Sequence, residues 1–396
     1  MGFIRAARAA GLAWMLAVWG TAAPAQVSDG VVRIGVLTDP GAGGGRGSIV
    51  AAQMAAQDFG GTVRDRPIEI ISSDEPSKPD VAATLARRWF DLDKVDAIVD
   101  LPFSALASAV QTVAREKSRT VMITAAAASD LTARSCSLTS THWADDTMAL
   151  TAASTSAIIE LGGKSWFFIA IDQPIGQALQ RDASKLIESH GGKVLGSARQ
   201  PPGTSDFASL LMQARSSGAD VIALASTAAD LVGLIHQAHD FEAAIGRPQL
   251  ASFLLDISDV HALGLPIAQN LAVASSFYWD RNEPSRAFAR RFLETTGTMP
   301  TRNHAAIYTA VTHYLKAVNA AGTDDAPAVN KAMRQLSVDY FGRPATVRAD
   351  GRVLYDLTLY RVKTPAESSY PWDYFEPLRT VARQDAFLPM NAACGP

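Results

Sequence analysis

Two rhythms of apolar residues alternate along most of the chain. Short unbroken runs give way to longer stretches in which apolar side chains recur every three or four positions. Val31-Val32-Arg33-Ile34-Gly35-Val36-Leu37 is a run of the first kind, bounded by turn residues. Such a run predicts a strand covered on both faces. After a Gly-rich loop at 41–48 comes a helical stretch with Ile49, Ala52, Met54 and Ala55 on its apolar face, and Ser48 is placed to cap it. Gly60-Gly61 ends that helix. The beat repeats as a strand at 68–72, a helix at 79–92 carrying Val81, Leu85 and Trp89, a strand at 97–100, a helix at 106–117 and a strand at 120–123.

A second series begins past Asp146. Strands are expected at 166–171, 193–196, 221–224 and 250–254, and helices at 176–190, 207–216 and 227–241. Strands alternating with helices imply parallel sheets and an α/β fold. The two halves share the phrase helix, Gly-Gly, strand, at Asp58-Phe59-Gly60-Gly61 and Ser189-His190-Gly191-Gly192, which fits two domains of one topology. Beyond Leu271 the texture changes. The segment 274–280 reads as a crossing between domains, followed by helices at 284–296 and 305–321. A turn at Asp350-Gly351-Arg352 leads into an alternating strand at 353–362.

The first residues set the expected location. Arg5 and Arg8 precede the apolar run Leu12-Ala13-Trp14-Met15-Leu16-Ala17-Val18-Trp19, and Ala23-Pro24-Ala25 ends in small residues. That is the form of a secretory signal peptide cleaved after Ala25, and the apolar run is too short to span a bilayer. About 370 of the 396 residues then remain, enough for two domains. A net charge of −3 gives no electrostatic case for nucleic-acid binding. No later apolar stretch reads as a transmembrane helix, so a soluble mature protein is expected. An exported chain with two cysteines, Cys136 and Cys394, either bridges them or buries two free thiols; a bridge would pin the C-terminal tail to the first domain.

The search for catalytic chemistry returns little. The loop Gly41-Ala42-Gly43-Gly44-Gly45-Arg46-Gly47-Ser48 matches neither phosphate-binding pattern at any register, and the lysine such a loop needs is missing. His236 and His239 stand three apart without a third ligand, and read as a surface pair. There is no G-x-S-x-G elbow, and Ser104 has no obvious base. Asp145-Asp146 and Asp324-Asp325 read as caps or solvated loops before helices. No cofactor or metal is implied. An exported two-domain α/β chain of this kind is expected to bind rather than to catalyse. In open α/β sheets a ligand sits outside the carboxyl ends of the strands. That rule selects the loops 39–48, 101–105, 124–130, 172–176, 225–230 and 253–259.

The same segments carry a family likeness. Val32-Arg33-Ile34-Gly35-Val36-Leu37, Asp74-Glu75-Pro76-Ser77-Lys78-Pro79, the stretch from Met122-Ile123-Thr124 to Asp130-Leu131-Thr132, and Ser205-Asp206-Phe207-Ala208-Ser209-Leu210-Leu211 resemble the type I periplasmic solute-binding proteins of ABC importers, the Leu/Ile/Val-binding group. Thr141-His142-Trp143, Asp146-Thr147, Phe277-Tyr278-Trp279-Asp280, Asp350-Gly351-Arg352, Pro365-Ala366-Glu367-Ser368 and Trp372-Asp373-Tyr374 resemble a branch that includes aromatic-acid binders. The resemblance implies two doubly wound parallel-sheet domains joined by three crossovers, a Venus flytrap. Its lobes would be 28–146 plus 274–349 and 147–273 plus 350–396. It implies a monomer in the periplasm that captures a small-molecule ligand and presents it to the membrane subunits of an ABC permease. A ligand-sensing flytrap module, or an exported enzyme, is the alternative.

By the same resemblance, Phe103, Ser104 and Ala105 hold a ligand carboxylate, and Ala126, Ala127, Ala128 and Ser129 offer a carbonyl and a hydroxyl. Gln173 and Ile175 stand on the opposite wall, and Asp256 is placed to meet an α-amino group. Arg46 is a candidate partner for an anionic solute, although an Arg flanked by Gly usually faces solvent. The chain departs from the group in three loops. Gly43-Gly44-Gly45-Arg46, Gln173-Pro174-Ile175 and Ser226-Thr227-Ala228-Ala229-Asp230 all lack the aromatic residues often found there. The ligand's identity therefore does not carry over with the resemblance.

Overall fold

The first hydrophobic series folds as β1 (Val32–Leu37), α1 (Gly45–Asp58), β2 (Thr62–Val63), β3 (Arg66–Ser73), α2 (Pro79–Asp91), β4 (Ala97–Asp100), α3 (Ser104–Lys117), β5 (Thr120–Ile123), α4 (Asp130–Ala133) and β6 (Ser140–His142). The second folds as α5 (Thr147–Glu160), β7 (Ser165–Ile171), α6 (Pro174–Ser189), β8 (Lys193–Gln200), α7 (Ala208–Ser216), β9 (Val221–Ala225), α8 (Ala228–Ile245), β10 (Gln249–Ser252), α9 (Ile257–Leu263), α10 (Leu265–Ala268) and β11 (Ala272–Ser275). The remainder is α11 (Glu283–Thr296), α12 (Arg302–Ala321), α13 (Ala326–Gln335), β12 (Val338–Asp339), β13 (Pro344–Val347), β14 (Val353–Leu354), β15 (Leu357–Val362), β16 (Phe375–Val381) and α14 (Arg383–Ala386). The structure, a computed structural model, describes residues 27–39, 45–73, 78–245, 249–391 and 394, with backbone alone over 241–245. The expected signal peptide, the loop tip 41–44 and the acidic turn 74–77 lie outside the described residues.

Two separate parallel sheets result. The first has the order β2-β3-β1-β4-β5-β6, with only the short hairpin strand β2 antiparallel; the second is β10-β9-β7-β8, parallel throughout. The shared phrase noticed in the sequence is the same structural step in both. A helix ends in Gly-Gly, and the chain returns as a strand parallel to the one that preceded the helix, β3 beside β1 and β8 beside β7. In each sheet the order reverses at the first strand of the series, so β1 and β7 mark the switch points outside which ligands bind. Close packing onto β1 depends on Gly35. A Cβ there would lie 2.5 Å from the Trp89 ring of α2. Strands β11, β15 and β16 form an antiparallel sheet of their own, and β12, β13 and β14 form another.

Three segments carry the chain between the two domains, and two adjacent aspartates knit them together. Asp146 caps α5 by accepting from the Ala149 amide, and Arg352 donates to its other oxygen at 3.3 Å. Asp145 accepts from the Ser276 amide at 2.9 Å. The first crossing is thereby tied to the second at Ser276 and to the third at Arg352. Arg352 is fully buried; it also donates to the Ala144 and Val353 carbonyls and lies over the Phe387 ring. Burial pushes the Asp146 carboxyl up to about 6, and the Arg352 guanidinium pulls it back. The expectation that Asp145-Asp146 is a solvated loop is therefore corrected. The pair caps a helix, but both are buried, because Arg352 and backbone amides supply the partners that water would otherwise provide.

Other corrections are local. Helix α1 starts at Gly45, so Ser48 is a buried residue inside the helix and not its cap. The expected strand at 353–362 is broken into β14 and β15, which join different sheets. Asp325 caps α13 as expected of it, whereas Asp324 is buried and accepts from the Ser28 amide and hydroxyl.

Cys136 and Cys394 form a disulfide, with Cα atoms 5.8 Å apart and 258 residues between them in sequence. The tail that leaves β16 on the second domain is thus fastened to the first. In the chain-entropy account, a loop this long gives about 5 kcal/mol, an upper figure. Replacing both cysteines by serine should lower unfolding stability towards that value, read as a fall in the denaturant midpoint.

Candidate ligand-binding cleft

The carboxyl ends of both sheets face a common cleft of about 500 Å³. All six loops selected by the strand-end rule contribute to its wall. Ser48, Ser104, Ala127, Gln173, Thr227 and Asp256 each stand for one of them. Of the residues expected at the site, Phe103, Ser104, Ala105, Ala127, Gln173, Ile175 and Asp256 are brought together on this wall.

Four others are not. Arg46 is exposed on α1, two residues before Ser48 but off the cleft. Ala126 is buried behind the wall, its carbonyl 2.7 Å from His142 Nε2. A carbonyl only accepts, so Nε2 holds the proton there, and burial keeps the ring neutral. Ala128 donates its amide to Ser104 Oγ at 3.2 Å. The Ser129 hydroxyl donates to Asp182 Oδ2 at 2.8 Å, an acceptor it shares with the Thr147 hydroxyl. Arg181, the neighbour of Asp182 on α6, pairs with Asp130 at 3.0 Å. Ser129 and Asp130 therefore serve a contact between the two domains at the edge of the cleft.

On the first domain the cleft wall is led by the N-terminus of α3. Phe103 is the N-cap residue, in extended conformation, and no side chain caps the helix. The opening amides of a helix are unpaired within it and carry partial positive charge. Here they belong to Ser104, Ala105 and Leu106, all on the wall. Phe103 is the one aromatic ring on that wall among the described residues. The loops at 173–175 and 227–228 contribute Gln173, Pro174, Ile175, Thr227 and Ala228, so the missing rings noted in the sequence leave small and aliphatic groups there.

Where the two domains meet on the cleft wall, a cation that the sequence reading missed reaches from α12 of the first domain to the 254–256 loop of the second. Arg302 occupies the first turn of α12, where the helix dipole disfavours positive charge. Carboxylates hold it there. Its Nε lies 3.4 Å from Asp256 and 4.0 Å from Asp145, and its Nη atoms donate to the Leu254 and Leu255 carbonyls at 3.0 Å. Asp256 caps α9 in a capping box with Asp259. Burial raises the Asp256 carboxyl, and Arg302 pulls it down. Asp259 is pushed up to about 7, by burial first and by the Asp256 charge second. The signal available in the sequence was the pairing of a Thr301 cap with Arg in the first helical turn, a local inconsistency of the kind that marks functional sites.

Two outcomes test this electrostatic frame. Removing one partner of a buried ion pair strands the other, so Arg302→Met should destabilise the fold by about 3–5 kcal/mol in chemical denaturation. Asp259 holds its proton more tightly folded than unfolded. Its contribution is complete below about pH 4 and is lost as pH rises towards 7. Asp259→Asn should therefore gain on the unmodified chain as pH rises from 4 to 7, measured as melting temperature against pH.

The periplasmic binding protein family matches residues 31–368. A periplasmic binding protein from Burkholderia mallei is 38% identical, with a TM-score of 0.89 over 93% of this chain and 98% of that one. A branched chain amino acid ABC transporter periplasmic ligand-binding protein from Burkholderia xenovorans is 34% identical, with a TM-score of 0.81 over 90% of this chain and 97% of that one. An ABC transporter solute binding protein from R. palustris in complex with benzoate shares the fold at 20% identity, with a TM-score of 0.78 over 89% and 97% of the two chains. No curated protein matches the chain. A family match across most of the chain, a whole-length structural likeness and a cleft at the strand ends converge: this chain belongs to the periplasmic binding protein family, with the type I fold.

Proposed function

We propose that this chain is the solute-binding component of an ABC importer. It works in the periplasm after loss of its first 25 residues, and captures a small organic carboxylate, an amino acid or an aromatic acid, between two closing lobes. The lobes are 28–146 with 274–349 and 147–273 with 350–396; the last residues of the tail fold back onto the first lobe. The chain binds and releases its solute without chemical change, acts as a monomer without cofactor, and hands the solute to membrane permease subunits.

The observation that carries this reading is that the uncapped N-terminus of α3 and the Asp256–Arg302 pair line the same cleft. Helix-opening amides and the Ser104 hydroxyl suit a carboxylate. Asp256 suits an ammonium, and Pro102, Phe103, Ile175 and Leu254 supply apolar surface between them. A cleft of about 500 Å³ has the size of a small-molecule site. The ligand classes named for related structures, branched-chain amino acids for one and benzoate for another, fall within this chemistry.

The contacts proposed are Phe103, Ser104, Ala105, Ala127, Gln173, Ile175 and Asp256. Ser129, through Asp182, adjusts closure instead. A ligand that prefers the closed form drives closure only by that preference. Thermal-shift screening against amino acids and aromatic acids should find compounds that raise the melting temperature by mass action. For such a compound, Ser104→Ala should weaken binding by about 1–3 kcal/mol in titration calorimetry. Unchanged affinity would reject the α3 terminus as the carboxylate site.

A further inference from the structure

Helix α4 is anchored from outside the cleft. It is a single turn, Asp130–Ala133, too short to hold its own shape in water. Leu131 packs into the core of the first domain, and the Gln111 side chain donates to the Leu131 carbonyl at 3.3 Å. The chain's tail closes over the far end of the turn. Asn391 Nδ2 donates to the Ala133 carbonyl at 2.6 Å. The buried Cys394 sulfur, bonded to Cys136, lies 3.6 Å from the Thr132 carbonyl. Arg348 donates to the Leu388 carbonyl at 2.8 Å, so the strap is pinned on both sides of Asn391 in sequence.

The near end of α4 faces the second domain. Arg181 of α6 donates to Asp130 Oδ2 at 3.0 Å and to the Ser129 hydroxyl at 3.2 Å. The buried Asp182 accepts from the Ser129 and Thr147 hydroxyls. Thr147 Oγ1 accepts from the Ser129 amide at 3.2 Å, and the Thr147 amide donates to the Ala127 carbonyl at 2.7 Å. Ala127 lines the cleft, and the next amide, that of Ala128, donates to Ser104. A continuous run of hydrogen bonds thus leads from α6, through the start of α4, to the cleft wall. Hydrogen bonds weaken steeply when misaligned, so a shift of this one turn would break the run. Holding α4 in place beforehand spares the cost of ordering it as the domains close.

We propose that the Cys136–Cys394 bond sets solute affinity from outside the cleft, by bracing α4 so that Ser129 and Asp130 meet Asp182 and Arg181 across the domain boundary. The inference rests on the hinged solute-binding reading above and adds a redox-sensitive determinant to it. Reduction by a dithiol moves two electrons and two protons to the S–S bond, which breaks into two thiols as the reductant's own sulfurs join. The tail then lets go of Thr132 and Ala133, the contact with α6 loses its order, and the closed form becomes less favoured. Because that contact opposes reopening, the change falls mainly on the dissociation rate.

The test uses the mature protein, oxidised or reduced with dithiothreitol, with L-leucine and benzoate as probes. Reduction should weaken each probe that binds by about ten-fold, within the range of coupling between distant sites, with faster dissociation and a nearly unchanged association rate. Cys136→Ser with Cys394→Ser should match reduction. Arg181→Met, off the cleft wall and remote from the disulfide in sequence, should weaken the same probes by a similar factor in the oxidised protein. Once the cysteines are replaced it should cost less than about two-fold, because members of one network are not additive. Small-angle scattering without a probe should show the reduced protein and oxidised Arg181→Met each to be more open than the oxidised, unmodified protein. Affinity and scattering unmoved by reduction would overturn the brace. So would losses from reduction and from Arg181→Met that simply add, since the two would then act independently. A lower melting temperature on reduction with affinity intact would make the bond a folding staple alone. If neither probe binds, the solute reading fails, and the scattering comparison decides the brace by itself.

Discussion

Two neighbouring carboxylates hold this molecule's geometry together. Asp145 and Asp146 sit where the chain leaves the first sheet, out of water, and each reaches to a different returning segment. Burying adjacent acids is unfavourable unless their lone pairs are met. Arg352 and the Ala149 amide meet both oxygens of Asp146, and the Ser276 amide meets Asp145 Oδ2. The result is a compact polar node between two apolar cores, and the cleft opens beside it, with Asp145 on its wall. A node of fixed hydrogen bonds is directional where hydrophobic packing is not. It therefore fixes how the three crossings lie against one another.

The rest of the site follows from where the sheets reverse their order. In the first sheet β1 lies between β3 and β4, so the helices on either side part just beyond its end. The α3 terminus, Asp100, Ser48 and Thr38 gather at that gap. In the second sheet β7 lies between β8 and β9, and its following loop brings Gln173, Pro174 and Ile175. Positive character is thus spread over backbone amides on one side. At the contact between the domains, the Arg302 guanidinium sits among the carboxylates of Asp145 and Asp256. Such an arrangement orients a small polar solute by its charge pattern, and leaves the apolar walls to set its size.

Much of the fold was legible because it rests on unbroken burial. Strands β4 and β5 fall where the apolar runs at 97–100 and 120–123 placed them, since every residue in each is buried and turn residues bound both. Strand β6 was not legible. Ser140-Thr141-His142 is polar, yet fully buried, because its neighbours are β5 and the crossing that carries Arg352. Strand β16 was also missed; it contains Pro377 and is mostly exposed, as an edge strand allows. The six cleft loops could be read from the strand-end rule alone. The side chains that matter within them could be read only in part. Ser104 and Asp256 sit in recognisable turns, whereas Arg302 and Asp145 draw their significance from partners far away in sequence. The bond from the Ser129 hydroxyl to Asp182 was illegible for the same reason, since Asp182 lies far along the chain.

The bond between Cys136 and Cys394 changes the topology of the hinge. Three crossings alone would leave the chain's end free; fastening it to the opposite domain adds a fourth tether, so the molecule becomes a covalently closed circuit that passes through both halves. A hinge tethered on an additional flank has a shorter arc. The span of chain between β16 and Cys394 then limits how wide the mouth can gape, and in a reducing compartment that stop would vanish while the polar node stayed whole.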